Sequence, residues 1–248
     1  MPTTNRTPMS PLRKAALAAG LLYLATFVFS IPALAFYDGV LHNADFVNGA
    51  GSSTGVLWGA IFEIITALTG IGTAVVLYRV LRQHGPTGAV GFVASRTLEA
   101  AMIFVGVISV LGVYTLRQDF AGTDTAGLTT TAHALIAIKD WTFLLGPGVM
   151  PAINALCFAT VLYRSRLVPR IIPTIGLIGV PLLLASSTAT LFGAFDQVSR
   201  PAMLGAFPIA LWEFSIGLYM TFKGFKPSPV SDEAHAPNTA PMLADIAA

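Results

Sequence analysis

The chain has 248 residues, of which 54% are hydrophobic and only 10% charged, and its formal net charge is +2. Soluble domains carry about 25% charged residues, so this composition, with a mean hydropathy of +0.73, belongs in a bilayer. The small net charge and the lack of a basic patch interleaved with aromatics exclude nucleic-acid binding, and a single cysteine, Cys157, excludes disulfide or CxxC redox chemistry within one chain.

A spanning helix needs about 20 mostly apolar residues. Six segments reach that length, at about Lys14–Phe36, Gly55–Val80, Val90–Leu116, Ala134–Tyr163, Ile171–Phe195 and Met203–Phe222. The expected fold is all-α, a polytopic transmembrane bundle of six spans over 14–223. A short N-terminal segment, 1–13, precedes it. A tail rich in Pro, Ala and Ser, 224–248, follows and is expected to be disordered in the cytoplasm. The first segment begins at Arg13 and Lys14 and contains Ala33-Leu34-Ala35, the small-x-small form of a signal-peptide cleavage site. Its apolar run is long enough to span, so it is read as a retained helix.

The basic residues gather on one side of such a bundle. Arg6, Arg13, Lys14, Arg79, Arg82, Arg164, Arg166, Arg170, Lys223 and Lys226 fall there, against Arg117 and Arg200 on the other. That bias predicts that both termini are cytoplasmic, and it agrees with an even number of spans. Between the first two spans, Gly49–Gly55 (GAGSSTG) lacks the lysine of a phosphate loop and reads as a flexible lead into a helix.

Charges inside the spans are the candidates for function, because hydrocarbon tolerates them only with partners, water or a task. In the second span, Gly55, Gly59, Glu63, Thr66, Gly70 and Thr73 share one face, a small and polar seam that should pack inward. In the sixth, Ala206, Ala210, Glu213, Gly217 and Thr221 repeat the pattern. The third carries Arg96 and Glu99, three residues apart and able to pair. Counted by helical rise, Arg96 lies roughly 9 Å in, Glu99 roughly 13 Å, Glu63 roughly 12 Å and Glu213 roughly 15 Å. The expectation is one polar cluster of Glu63, Arg96, Glu99 and Glu213 near the midplane, since separate burial would leave several charges unpaired. Three carboxylates against one arginine leave acid in excess. The plainer alternative is that these are acids tolerated on packing seams.

The fourth span opens with Lys139 and Asp140, close to the outer interface, where Lys139 is expected to snorkel outward. Further along lie Gly146, Pro147, Gly148, Pro151 and Asn154. The prolines remove two backbone donors, so the helix must kink or break there. The freed carbonyls are expected to meet an ion, water or Asn154, unless neighbouring helices satisfy a plain proline kink. Pro32, Pro181 and Pro208 read as ordinary kinks. His42, His84, His133 and His235 sit in loops or the tail without an HExxH or HxxxH pair, so no metal site is expected. No Gly-x-Ser-x-Gly elbow or dinucleotide fingerprint appears, and no cofactor is implied. Ser186 and Ser187 would be nucleophiles only with a base brought from elsewhere.

Two functions fit these residues: a small proton-coupled or solute carrier built on the midplane cluster, or an accessory subunit whose cluster only fixes helix packing. Three plus three spans would also permit an inverted repeat, with Glu99 and Glu213 in the third helix of each half. An intramembrane lipid-modifying enzyme stands behind both, because the chain offers only carboxylates and scattered hydroxyls. The expected partners are the lipid bilayer and a small solute or proton.

Four stretches carry a family resemblance: RKAALAAGLLYLATF from Arg13, the R-x-x-E-A of Arg96–Ala100, LYRSRLVPRIIPTIGLIG at Leu162–Gly179, and LWEFSIGLYMTFKGF with Glu213. In this order they resemble the bacterial membrane proteins grouped as domain of unknown function 4386, and R-S-x-x-x-P-R, Arg164–Arg170, is the most specific part. The likeness runs from Arg13 to Phe225. It implies an integral protein of the cytoplasmic membrane with several helices and an uncleaved first span, and it implies no activity.

Overall fold

The computed structural model describes residues 9–43, 45–50, 52–120 and 124–227. The first eight residues, and the expected disordered tail apart from 224–227, lie outside the described residues. Seven helices account for most of what is described: α1 Pro11–Leu41, α2 Thr54–His84, α3 Pro86–Asp119, α4 Thr125–Leu145, α5 Met150–Ser165, α6 Ile171–Leu191 and α7 Arg200–Phe222. α4 and α5 together make one span, so six spans are long and apolar enough to cross a membrane. Among the described residues there is no strand.

The first three helices have 31, 31 and 34 residues. At 1.5 Å per residue they measure roughly 46–51 Å, well beyond the roughly 30 Å of hydrocarbon. Hydropathy marks only the part that lies in lipid, whereas helical hydrogen bonding continues into the polar ends. α4 shows the difference most clearly. It begins at Thr125, where Asp124 accepts a hydrogen bond from the Gly127 amide as an N-cap, rather than near Ala134.

Consecutive spans pack side by side, α3 touches both α4 and α5, and α7 closes the ring against α1. The start of α1 and the end of α7 therefore lie on one face, called the termini face below. There Arg13 donates to the Met220 and Thr221 carbonyls, at 2.9 and 2.6 Å, taking up free acceptors at the end of α7. Above this clamp Gly20 lets the helices touch: a Cβ there would lie 2.6 Å from the Thr221 amide nitrogen and 2.8 Å from the Gly217 oxygen.

The largest cluster of buried apolar residues lies in this half. Phe158 packs against Tyr23, Phe92 and Trp212, with ring centroids 6.2, 4.9 and 5.7 Å away. The α5–α6 turn seals the same end. Arg166 takes a left-handed conformation at φ 57°, Leu167 and Val168 are buried, and the Leu167 carbonyl accepts from the Lys226 amide. At the other end a smaller cluster gathers Tyr37, Val40, Phe46, Val47, Val110 and Val113. There Arg117 donates to the carbonyls of Phe46, Gly49 and Ala50 and lies 4.5 Å above the Phe46 ring. The start of the glycine-rich loop is thus pinned, where flexibility was expected; Gly51 lies outside the described residues.

A candidate functional site at mid-depth

Arg96 faces inward from α3 and is 3% exposed. Its guanidinium engages carboxylates from two helices, Glu99 at 3.0 Å through Nη1 and Glu213 on α7 at 2.6 Å through Nη2. A planar fork suits this double engagement, which a lysine ammonium would not reproduce. The Tyr23 and Phe92 rings lie 5.0 and 5.7 Å from the guanidinium carbon, so the cation is held by aromatic faces as well as by acids. Asn154 on α5 donates to the same Glu99 Oε2 at 2.6 Å. Three spans and the second half of the broken one thus meet at one guanidinium and its acids.

Glu63 does not join this group. It pairs with Lys139, whose Nζ lies 2.5 and 2.7 Å from the two carboxylate oxygens. The expected snorkelling of Lys139 is therefore corrected: it points into the bundle and is 4% exposed. The reason is its partner: the Glu63 carboxylate on α2 satisfies the ammonium inside the bundle, whereas snorkelling would leave that buried acid unpaired. Room for it comes from Gly106 on α3, where a Cβ would lie 2.9 Å from Thr142 Oγ1, 3.1 Å from Lys139 Cδ and 3.3 Å from its Nζ. The Tyr37 ring covers the ammonium at 5.0 Å. Asp140, one residue on, is exposed and points away.

The break in the fourth span spans 146–149, where no α-helix is present. The Gly148 amide reaches back to the Phe143 carbonyl, and the Pro151 ring leaves the Pro147 carbonyl without its usual fourth-neighbour donor. The Gly148 carbonyl accepts from Ser187 Oγ on α6 at 2.7 Å. Asn154, expected to serve these carbonyls, serves Glu99 instead, because α5 turns it toward α3. Ser187 supplies the hydroxyl that the break needs.

The three acids converge on a cavity of about 220 Å³. Glu63 and Thr66 reach it from α2, Glu99 from α3, Glu213 from α7, Thr26 and Ser30 from α1, and Pro147 and Pro151 form part of its wall. Arg96 and Lys139 stand behind the carboxylates and are not among its lining residues. Beside it a void of about 10 Å³, roughly one water in size, shares Thr26, Thr66 and Glu99 and is bounded by Arg96. The Arg96 Nε hydrogen is buried without a partner. The expected single cluster of four is thus two ion-paired groups that share one space. Three carboxylates face two cations, so one bound proton or cation would bring neutrality. Among the described residues no group of three or more His, Cys, Asp or Glu is placed to hold a metal ion.

A family model described as "Domain of unknown function (DUF4386)" matches residues 18–224. The chain belongs to this family. The matched region takes in α1 from its eighth residue through the end of α7, and so every member of both ion-paired groups. Of the family stretches, the Arg164–Arg170 turn acts in the fold by sealing the termini face, whereas Arg96–Ala100 and Glu213 belong to the mid-depth site. No curated protein and no solved structure is detectably similar to this DUF4386 chain.

Proposed function

We propose that this DUF4386 protein is a small proton-coupled solute carrier of a bacterial cytoplasmic membrane, with both termini in the cytoplasm. The observation that carries the reading is the cavity walled by Glu63, Glu99 and Glu213 at mid-depth. A network that served packing alone would have no use for three acids turned toward a space, because each such face forgoes contacts. The broken fourth span at the cavity wall supports the same reading, since non-helical backbone at this depth is tolerated where it lines a cavity or is buried in protein. The clustering of Lys and Arg on the termini face supports the orientation.

Protonation supplies the coupling. A proton on Glu213 or Glu63 weakens that acid's hold on Arg96 or Lys139 and releases a helix contact, α7 to α3 or α2 to α4. A second reading, an accessory subunit, is favoured by one observation: each buried cation already has a carboxylate partner. Reconstitution into liposomes with an internal pH dye separates the two. Solute-dependent proton movement, lost in Glu213→Gln and Glu63→Gln proteins that still elute as folded, is the expected result. No flux under any gradient, or flux untouched by both substitutions, removes the carrier reading.

A further inference from the structure

α1 and α7 run antiparallel and touch closely along their termini-side halves. The contacts rise in register from the Arg13 clamp, through Gly20 against Thr221 and Gly217, to Phe27 edge-on against Phe214 at 5.6 Å. Beyond that pair the register would bring Ile31 and Leu34 against the outer half of α7. They instead line the cavity and are 63% and 39% exposed. On the other side α7 leans onto α6, where Gly205 meets Ser186 and Gly179 meets Ile209. The result is a cleft that widens toward the face opposite the termini, with Thr26 and Glu213 at its apex, each one residue from the closing aromatic pair.

A second space of about 240 Å³ continues this cleft. It shares Leu34, Phe143 and Pro147 with the acid-lined cavity and is walled further by Met203 and Ala206 of α7 and by Ser186 of α6. The path thus runs from lipid-facing apolar side chains to carboxylates with one negative charge in excess. Arg96, with its unpartnered buried Nε, bounds the water-sized void beyond the apex. Ligand pockets of this kind combine apolar walls with a few convergent polar groups. A neutral lipid would leave the acid excess uncompensated, and an anionic amphiphile would add to it.

We propose that the cleft between α1 and α7 is a lateral entry for small amphiphilic cations, primary amines with a short alkyl or aryl chain. The ammonium would sit at Glu213 and Glu99, and the apolar part would lie between Leu34 and Met203. This inference rests on the carrier reading and names its substrate class.

The test is equilibrium dialysis of radiolabelled hexylammonium against the full-length protein in lipid nanodiscs, with empty nanodiscs subtracted. Methylammonium and hexyl sulfate serve as competitors. Saturable hexylammonium binding is expected, weakened about tenfold or more by Glu213→Gln through loss of a charged contact. Leu34→Trp, which fills the cleft from a lipid-facing position, should weaken it similarly without changing elution or melting. Methylammonium should compete about tenfold less well, and hexyl sulfate not at all. Non-saturable binding, equal competition by either competitor, or binding unaffected by Leu34→Trp overturns the proposal. Proton flux driven by another solute, with no hexylammonium binding, would leave the carrier reading standing and remove this substrate class alone.

Discussion

Arg96 lies three residues from Glu99 on its own helix and reaches across to Glu213 on α7, whereas Lys139 crosses from α4 to a glutamate 76 residues earlier in the chain. The arginine joins two carboxylates from two helices through a rigid fork and is backed by Tyr23 and Phe92. The lysine places one point charge between the two oxygens of a single acid, in a niche opened by Gly106. The first arrangement reaches α7, where the ring closes, and the second links α2 and α4, which both pack on α3. Removing the first cation strands two buried acids; removing the second strands one. Unequal costs follow.

Arg96→Ala should therefore be the most damaging single change, lowering stability by about 3–5 kcal/mol, as expected when one partner of a buried ion pair is deleted. Unfolding in mixed detergent micelles would measure it. Arg96→Lys should recover only part of that loss, because an ammonium cannot present two parallel donors to Glu99 and Glu213. Full recovery by lysine would mean that charge alone matters and would erase the contrast between the two sites.

Lys139→Ala should cost less, about 1.5–3 kcal/mol, the range for a hydrogen bond to a charged group. Its orphaned Glu63 lines the cavity and can take a proton there. Adding Glu63→Gln to Lys139→Ala should return much of the loss in the same unfolding measurement. If the double variant is no better than the single one, the pair is not what Lys139 contributes.

Gly106→Ala sharpens the comparison without touching a charge. Its Cβ would crowd Thr142 Oγ1 and the Lys139 stem, so a cost of about 1–3 kcal/mol is expected from overpacking. The cost should shrink in a Lys139→Ala background, where the niche is empty. An equal cost in both backgrounds would show that Gly106 serves only the approach of α3 to α4.

The two sites also differ in how far they could be read from the sequence. Arg96 and Glu99 were legible as a pair because helical spacing alone brings them to one face. Glu213 and Glu63 were legible as inward-facing from the small residues around them, but which cation each meets depends on how α7 closes on α1 and how α2 and α4 both pack on α3. The inward turn of Lys139 was not legible, because its carboxylate comes from α2 and its niche from Gly106 on α3. A local signal for the true start of α4 was available in Asp124, an N-cap residue directly before Thr125. The six spans were legible because about 20 apolar residues in a row have few other uses. The cavity was not, because a void is the space left between helices and no residue encodes it. The break in the fourth span was visible in Pro147 and Pro151, yet its hydroxyl partner, Ser187, comes from another helix.

The smallest effect expected is a coupling energy near zero. If the two groups are independent, the losses from Arg96→Ala and Lys139→Ala should add within about 0.5 kcal/mol. Arg96→Ala and Glu213→Ala, by contrast, should be non-additive by about 0.5–3 kcal/mol, because they remove the same contact. The cavity gives this cycle its meaning. Arg96 and Lys139 pair with different acids of one space, and among the described residues no side chain bonds to both. Coupling between them is therefore expected to pass mainly through what fills the space. Additivity in the empty protein that turns into coupling of more than about 1 kcal/mol when hexylammonium is present would mean that a bound cation bridges the two groups. Coupling without ligand would instead mean that one shared proton already joins the carboxylates, so that the two groups titrate as a single unit.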